Sequence, residues 1–495
     1  MKRIISLLLP LLLLVACVPT PDHDAVKQKD TNVLIDTVLS EEQKTDRSDA
    51  SLPPVSAQFP DRMQDAFTLS QQNVQVTVDA PIRVRTDGAA FPLIRVERRT
   101  LINEERLELC RRLFGKDTFY RFELRFNRDD LVREIKDLMR EWTSEEKAEW
   151  MRDTDSTEED WEAAQARRKA ELERLQEQYR AMEDGETLPF TVWDGSLLPD
   201  TVEYSSQDIV ADPDAPNDIT RVDHVAISGE RYDEPIEFTA ANPNDQGTYT
   251  AVFFDKGNGD MEAYRIALSD YAEPVNGAQV SPMRAAEIAR KQLEGFGDWA
   301  ISDIYWSNNA TNGGDDAFVI HDRAYLVRLT PRFSNADLLY CGNPAYADQE
   351  SETNVAPTWP YSHILAVVDG DGNLLSLDWR GALQETEVLS ETTALLPFAE
   401  IQEIFKQQLG YAFANEIHKN GTLTVDDVQL GLFRIREKND MEHGLLVPCW
   451  MFRGKLLFDP DRVTQGYPRG IDYDMFPLMI INAIDGSIID PMKGY

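Results

Sequence analysis

The chain has little of what most catalytic and metal-binding motifs are made of: only 4 cysteines and 6 histidines in 495 residues. Cys17, Cys110, Cys341 and Cys449 show no C-x-x-C spacing, which excludes a zinc ribbon and a thioredoxin-like redox motif. None of His23, His224, His321, His363, His418 and His443 has another histidine at helical ligand spacing. There is no H-E-x-x-H, G-x-S-x-G, P-loop or G-x-G-x-x-G motif, so no catalytic residue, metal ligand or cofactor is nominated. Positive charge is scarce too, with 50 Lys and Arg against 87 Asp and Glu and a formal net charge of −37. A polyanion of that size is repelled by nucleic acid and by anionic headgroups, so nucleic acid is excluded as a partner. No apolar run reaches the ~20 residues that a membrane-spanning helix needs.

What is present is enough apolar material for real cores, 42% hydrophobic and 9% aromatic residues. At about 150 residues per domain the length suggests roughly three folded units.

The strongest local signal is MKRIISLLLPLLLLVAC, in which Lys2 and Arg3 precede the apolar stretch Ile4 to Val15. It has secretory-signal length and is too short to anchor by spanning. Its end, Leu14-Val15-Ala16-Cys17, resembles the lipobox of bacterial lipoproteins. That resemblance implies a signal peptide over 1–16, diacylglyceryl modification of Cys17, and attachment to the extracytoplasmic face of the cell membrane through acyl chains such as palmitate. Two lipid chains suffice for stable anchoring. Residues 17–60, with Pro19, Pro21, Pro53 and Pro54 among polar residues, read as a flexible linker in which only Val33 to Leu39 suggests a local helix.

The body reads as α+β, built of tandem units in which a helix packs on an antiparallel sheet. SPMRAAEIARKQLEG, with Ser281 as N-cap and Pro282 at the first helical position, shares its apolar spacing with LLPFAEIQEIFKQQLGY. Strand-like runs follow each helix, and each segment closes on a hairpin signal, ILAVVDGDGNLLSLDW or LMIINAIDGSIIDP. Leu293 lies 78 residues before Asp371 and Leu409 lies 76 before Asp485, which supports a duplication. An interrupted earlier copy would take Leu107 to Phe114 as its helix and AVFFDKGNGDMEAYRI as a strand, Gly-rich turn and strand. The expected units are therefore 61–275, 276–390 and 391–495. Within the first, 129–186 is an acidic helical-hairpin insertion with 20 acids and 10 bases, either a packing element or a partner-binding arm.

From Ser281 onward, the helix, sheet and closing V-D-x-x-G-x-L turn resemble PepSY-like and YycH/YycI-like extracytoplasmic domains. Those families imply inhibitory or regulatory modules in place of enzymes. The whole layout resembles an uncharacterised family of Firmicutes lipoproteins, which implies no catalytic residues.

Asp369-Gly370-Asp371-Gly372-Asn373 begins like a calcium loop, but Leu374 and Arg380 occupy the positions where an EF-hand needs Gly and Glu, so a hairpin turn is expected. Of the aromatics Trp299, Tyr305, Trp306, Tyr340, Trp359 and Tyr361, the candidate ligand contacts are Trp306, Tyr340, Trp359 and Tyr361, around the loop-rich stretch Ser334 to Ser362. A single disulfide is permitted, and Cys341 and Cys449 could pair only if the fold brings them close. The functional expectation is a membrane-anchored, non-catalytic binding or regulatory module with a possible envelope protein partner. The alternative is an envelope hydrolase or a solute- or carbohydrate-binding lipoprotein with an aromatic-lined pocket.

Overall fold

In the computed structural model the described residues are 31–42, 54–121, 128–153, 157–181, 192–196, 207–210, 219–222, 237–241, 251–255, 263–307, 323–342, 360–413, 419–437, 443–461, 470–491 and 494, apart from isolated positions. The expectations for Cys17, Trp359 and the Gly257-Asn258-Gly259 turn lie outside them. The chain forms two compact units, one of residues 1–109 with 238–495 and one of 110–237. The fold is α+β.

Along the chain, helix α1 (Thr31–Glu42) precedes strands β1 (Arg62–Leu69), β2 (Val74–Val84) and β3 (Phe91–Arg98), then helix α2 (Asn103–Phe114). Next come β4 (Tyr120–Arg121), helices α3 (Arg128–Met139), α4 (Ser144–Asp153) and α5 (Glu158–Ala181), and strands β5 (Gln207–Val210) and β6 (Ile219–Val222). Strands β7 (Glu237–Ala241), β8 (Ala251–Asp255) and β9 (Ala263–Arg265) lead to helix α6 (Pro282–Gln292). Strands β10 (Asp298–Ser307), β11 (Ala324–Phe333), β12 (Ala336–Asp337), β13 (His363–Asp369), β14 (Leu374–Arg380) and β15 (Leu383–Thr393) follow. Helix α7 (Phe398–Ala412) and strands β16 (Thr422–Arg436), β17 (His443–Leu457), β18 (Gly470–Asp472), β19 (Met479–Asn482) and β20 (Ile488–Ile489) complete the chain.

The larger unit holds two sheets of matching design. Helix α6 is followed by the antiparallel meander β10-β11-β13-β14, and helix α7 by β16-β17-β19-β20 in the same order. Ser281 Oγ accepts from Arg284 N at 3.2 Å, and Pro282 stands at the first turn of α6, whose Ala285, Ala286 and Ala289 are buried. Such small side chains bring the helix close to the sheet. The turns also match: Asp369 Oδ1 accepts from the backbone N–H groups of Asp371 and Asn373, and Asp485 Oδ1 from that of Ser487.

The three-unit expectation needs correction. Strands β1 to β3 do not found a first sheet. Strand β2 runs parallel to β16, and β3 pairs with β15 and β17, so residues 62–98 complete the sheet of the last unit. The AVFFDKGNGDMEAYRI run is not a hairpin, because β8 pairs with β14 and β9 with β10, at opposite ends of the middle meander. Both corrections have one cause: an exposed strand edge carries unpaired N–H and C=O groups, and distant segments satisfy them.

Strand β17 explains how the last sheet is covered on both sides. Its Leu446, Trp450, Phe452 and Leu456 face α7, where Phe398, Ile401, Phe405 and Leu409 are buried. Its alternate residues Leu445, Val447, Cys449 and Met451 face the other way and meet Leu34, Ile35 and Val38 of α1. The 17–60 linker expectation is corrected accordingly. Thr31 to Glu42 is a docked helix, and Phe59 packs edge-on against Trp450 with centroids 5.0 Å apart.

In the smaller unit, Leu131 of α3 and Leu175 of α5 are buried against each other, with Ile135, Leu138 and Tyr179 packed around them. Arg168 Nε donates to Leu138 O at 3.1 Å, so the two helices run antiparallel. Thr157 and Asp160 exchange backbone hydrogen bonds as a capping box, and Thr143 and Glu146 repeat it at the start of α4. No described helix is long and apolar enough to cross a membrane.

Candidate functional site

The first strand of each meander carries a β-bulge at the same place, between Ile301 and Asp303 in β10 and between Val425 and Asp427 in β16. In both, the residue after the extra one is aspartate and its cross-strand partner is arginine: Asp303 opposite Arg328, and Asp427 opposite Arg453. A bulge re-aims the side chain that follows it. Here the two aspartates and their arginines meet where the sheets join.

The resulting seam has a buried centre and balanced charge. Arg83 of β2 donates to both carboxylate oxygens of Asp427, at 2.8 and 2.6 Å, and to Asp303 Oδ1 at 3.1 Å. Arg453 donates to Asp303 Oδ2 at 2.9 Å and to Tyr340 O at 2.6 Å. Arg265 of β9 bridges Asp426 and Asp427 at 3.2 and 3.4 Å. Arg328 lies between the Tyr305 and Tyr340 rings, 4.2 and 4.4 Å from their centroids, and donates to Tyr305 Oη, which bonds Asp474. Burial by itself would raise the Asp303 carboxyl, but Arg83 and Arg453 override it and hold the group below the ordinary carboxylate range. Four arginines and four aspartates neutralise one another, and the seam acts as a rigid clamp between the duplicated sheets.

Against this frame lies a cleft of about 470 Å³, in the size range of small-molecule sites. Its walls are the β10 and β11 ends at Trp299 and Phe333, Trp379 of β14, and the β3-to-α2 junction at Ile102. Trp299 and Trp379 meet edge to face at 5.5 Å and 89°, and Phe296 joins them 6.3 Å from Trp379. Arg99 Cζ sits 5.9 Å from the Trp379 ring centre, and Arg99 donates to Phe296 O and to Glu105. Glu105 also accepts from Ile102 N at 3.1 Å, which caps α2. Arg332 and Asp298 face each other across the β10–β11 pair.

Three residues lining this cleft carry a buried polar atom that has no partner among the described residues: Trp299 Nε1, Trp379 Nε1 and Ser362 Oγ. All three residues are at least 95% buried, with relative exposures of 5%, 2% and 4%. Buried donors without acceptors are uncommon in native proteins because each costs about 1–3 kcal/mol. Buried atoms of this kind also occur at the seam, on Arg328, Tyr340 and Arg453, whereas these three belong to residues that line an open cleft, which makes it the candidate site.

Of the sequence-selected aromatics, Trp306, Tyr340 and Tyr361 are described, and each packs in a different ring pair. Trp306 is buried in the middle sheet against Tyr325, with centroids 4.6 Å apart. Tyr340 belongs to the seam and lies 5.1 Å from the His363 ring. Tyr361 packs on Phe433 at 4.7 Å and donates to Pro491 O at 2.9 Å. Among the described members of the wider aromatic set, Trp299 lines the cleft. Sequence reasoning passed over Trp379 and Ser362. The only signal available for Trp379 was an aromatic at the end of a hairpin strand, and nothing distinguished Ser362. Cys110, Cys341 and Cys449 are buried, Cys341 and Cys449 are not joined in a disulfide, and burial pushes the Cys341 thiol up to about 12. Among the described residues no group of three His, Cys, Asp or Glu side chains is arranged to hold a metal ion.

No protein-family model matches the chain, and no curated protein matches it. Among solved structures it is similar to an uncharacterized protein from Eubacterium rectale, at 11% identity and a TM-score of 0.46, over 87% of this chain and 94% of that one. A likeness at that level assigns neither a family nor an activity.

Proposed function

We propose that this is a lipid-anchored, extracytoplasmic binding protein of the cell envelope, a non-catalytic module that captures its ligand in the Trp299–Trp379 cleft. The observation that carries the reading is the set of unpartnered donors along that cleft, Trp299 Nε1, Trp379 Nε1 and Ser362 Oγ. A ligand bearing acceptors would relieve their burial cost, which turns a structural penalty into affinity. The seam supports the same reading, since strands clamped by paired charges hold a site in a fixed geometry. Anchoring rests on the lipobox-like Leu14 to Cys17.

Two measurements test the proposal. Metabolic labelling with a fatty-acid analogue should mark the wild-type protein and leave Cys17→Ser unlabelled and released from membranes. A thermal-shift screen over sugars, peptides, amines and organic acids should find at least one stabilising class, and Trp299→Ala should abolish that shift. Stabilisation unaffected by Trp299→Ala would refute the cleft as the site.

A further inference from the structure

Resting on the reading of the cleft as a binding site, we propose that its ligand is a neutral carbohydrate, a sugar ring bound with one face on the apolar wall and its hydroxyls on the buried donors and rim charges. The first argument is charge. In a chain of net charge −37, the cleft is lined by two arginines, Arg99 and Arg332, and two carboxylates, Glu105 and Asp298. A site for an anionic metabolite would hold uncompensated cations, and a site for an amine would hold uncompensated carboxylates. Balanced charges, each side offering donor and acceptor together, suit a ligand whose groups both donate and accept.

The second argument is the pairing of apolar surface with those donors. Ile102 is 58% exposed at the cleft, and Phe296, Phe333 and Trp299 continue the apolar wall. A sugar ring carries a C–H face that packs on such surface and a rim of hydroxyl oxygens that accept hydrogen bonds. Trp299 Nε1, Trp379 Nε1 and Ser362 Oγ supply three donors with no acceptor among the described residues. Gly297, at φ +136°, lies beside the first of them. A Cβ there would stand 3.7 Å from Trp299 Nε1.

The third is the latch over the floor. The three donors lie just beneath the cleft wall, and the Arg99 guanidinium covers Trp379 while held by Glu105 and Phe296 O. A ligand that reaches Trp379 Nε1 must move Arg99, and hydroxyls of a polyol replace the bonds Arg99 gives up. Organic ions would break the same bonds without replacing both halves of the pair.

The experiment is calorimetric and fluorescence titration of the full chain with neutral gluco-, galacto-, manno- and N-acetylglucosamine oligosaccharides. Uronic-acid oligosaccharides, aromatic amines and short peptides form the comparison panel. The expected result is saturable binding of a neutral oligosaccharide with a change in tryptophan emission, weakened about tenfold in Trp299→Phe and in Ser362→Ala. Trp299→Phe keeps the ring and removes only the N–H, and Ser362→Ala removes only a hydroxyl, so each variant should melt within a few degrees of wild type. Neutral sugars that bind equally to wild type and both variants would overturn the proposal, because the site would lie elsewhere. Binding of only charged sugars, amines or peptides, lost in Trp299→Phe, would overturn the carbohydrate assignment and leave the cleft as a binding site. No binding across either panel would overturn both.

Discussion

Arg453, in the second strand of the last meander, places Nη1 2.9 Å from Asp303 Oδ2, beside the bulge of the middle one. Both side chains are 1% exposed. Within the duplicated design, Arg453 corresponds to Arg328 and Asp303 to Asp427, so each repeat contributes one bulged aspartate and one cross-strand arginine to a shared seam. The arrangement ties two sheets that are far apart in sequence.

Removing one member of that seam leaves its partner buried and unpaired. Asp303→Leu should cost about 3–5 kcal/mol in urea denaturation. Arg453→Met should cost a similar amount, and the double variant less than their sum by more than about 1 kcal/mol. Strict additivity would show that the pair contributes no coupling.

Acid should act on the seam only late. The Asp303 and Asp427 carboxyls are held below their ordinary value of 3.8 by Arg83 and Arg453, against the opposing effect of burial. A depressed folded-state value means stability that is present above the unfolded value and lost as pH falls through the folded one. The seam contribution should therefore persist down to about pH 3.8 and fade below it, and should vanish from the pH dependence of Asp303→Leu.

His363 should dominate at milder acidity. Burial, reinforced by Arg380, lowers its imidazole from 6.5 to about 3, and Nδ1 lies 3.0 Å from Tyr361 O. The folded protein keeps this ring neutral while the unfolded chain protonates it below pH 6.5. Stability should thus fall as pH drops from about 6.5 toward about 3, with a limiting slope of about 1.4 kcal/mol per pH unit. His363→Phe should flatten that slope in denaturation measured at several pH values.

Gly454 faces the β16 bulge, paired with Val425. A Cβ there would overlap the Thr424 carbonyl oxygen and crowd Val425 Cα at 3.0 Å. Since backbone atoms cannot step aside, Gly454→Ala should destabilise by more than about 2 kcal/mol and lower the melting temperature. An unchanged melting temperature would contradict the bulge geometry.

Helix α1 is docked through Leu34, Ile35 and Val38, with Thr31 and Leu39 beside them on its buried face. Leu34→Asp with Val38→Asp should free it, seen as lost amide-exchange protection over Thr31 to Glu42 with the sheets still protected. Coupled loss of protection in β17 would show instead that the helix is integral to the fold.

Local chemistry along the chain was enough for several elements. Ser281-Pro282 began α6, Thr157 and Asp160 capped α5, the Asp-Gly turns closed both meanders, and the α3 and α5 stripes met as a hairpin. Caps, turns and stripes are settled by residues within a few positions of one another, so a linear reading can find them. Strand partnership is different, because an edge takes whichever distant segment satisfies its N–H and C=O groups. Strand β2 therefore joined β16, and β8 and β9 parted to opposite ends of a sheet. The same limit applies to the seam and the cleft. An aspartate among 87 acids has no visible partner in the sequence, and Trp299, Trp379 and Ser362 become neighbours only through folding. What a donor lacks can be known only once every group around it has been placed.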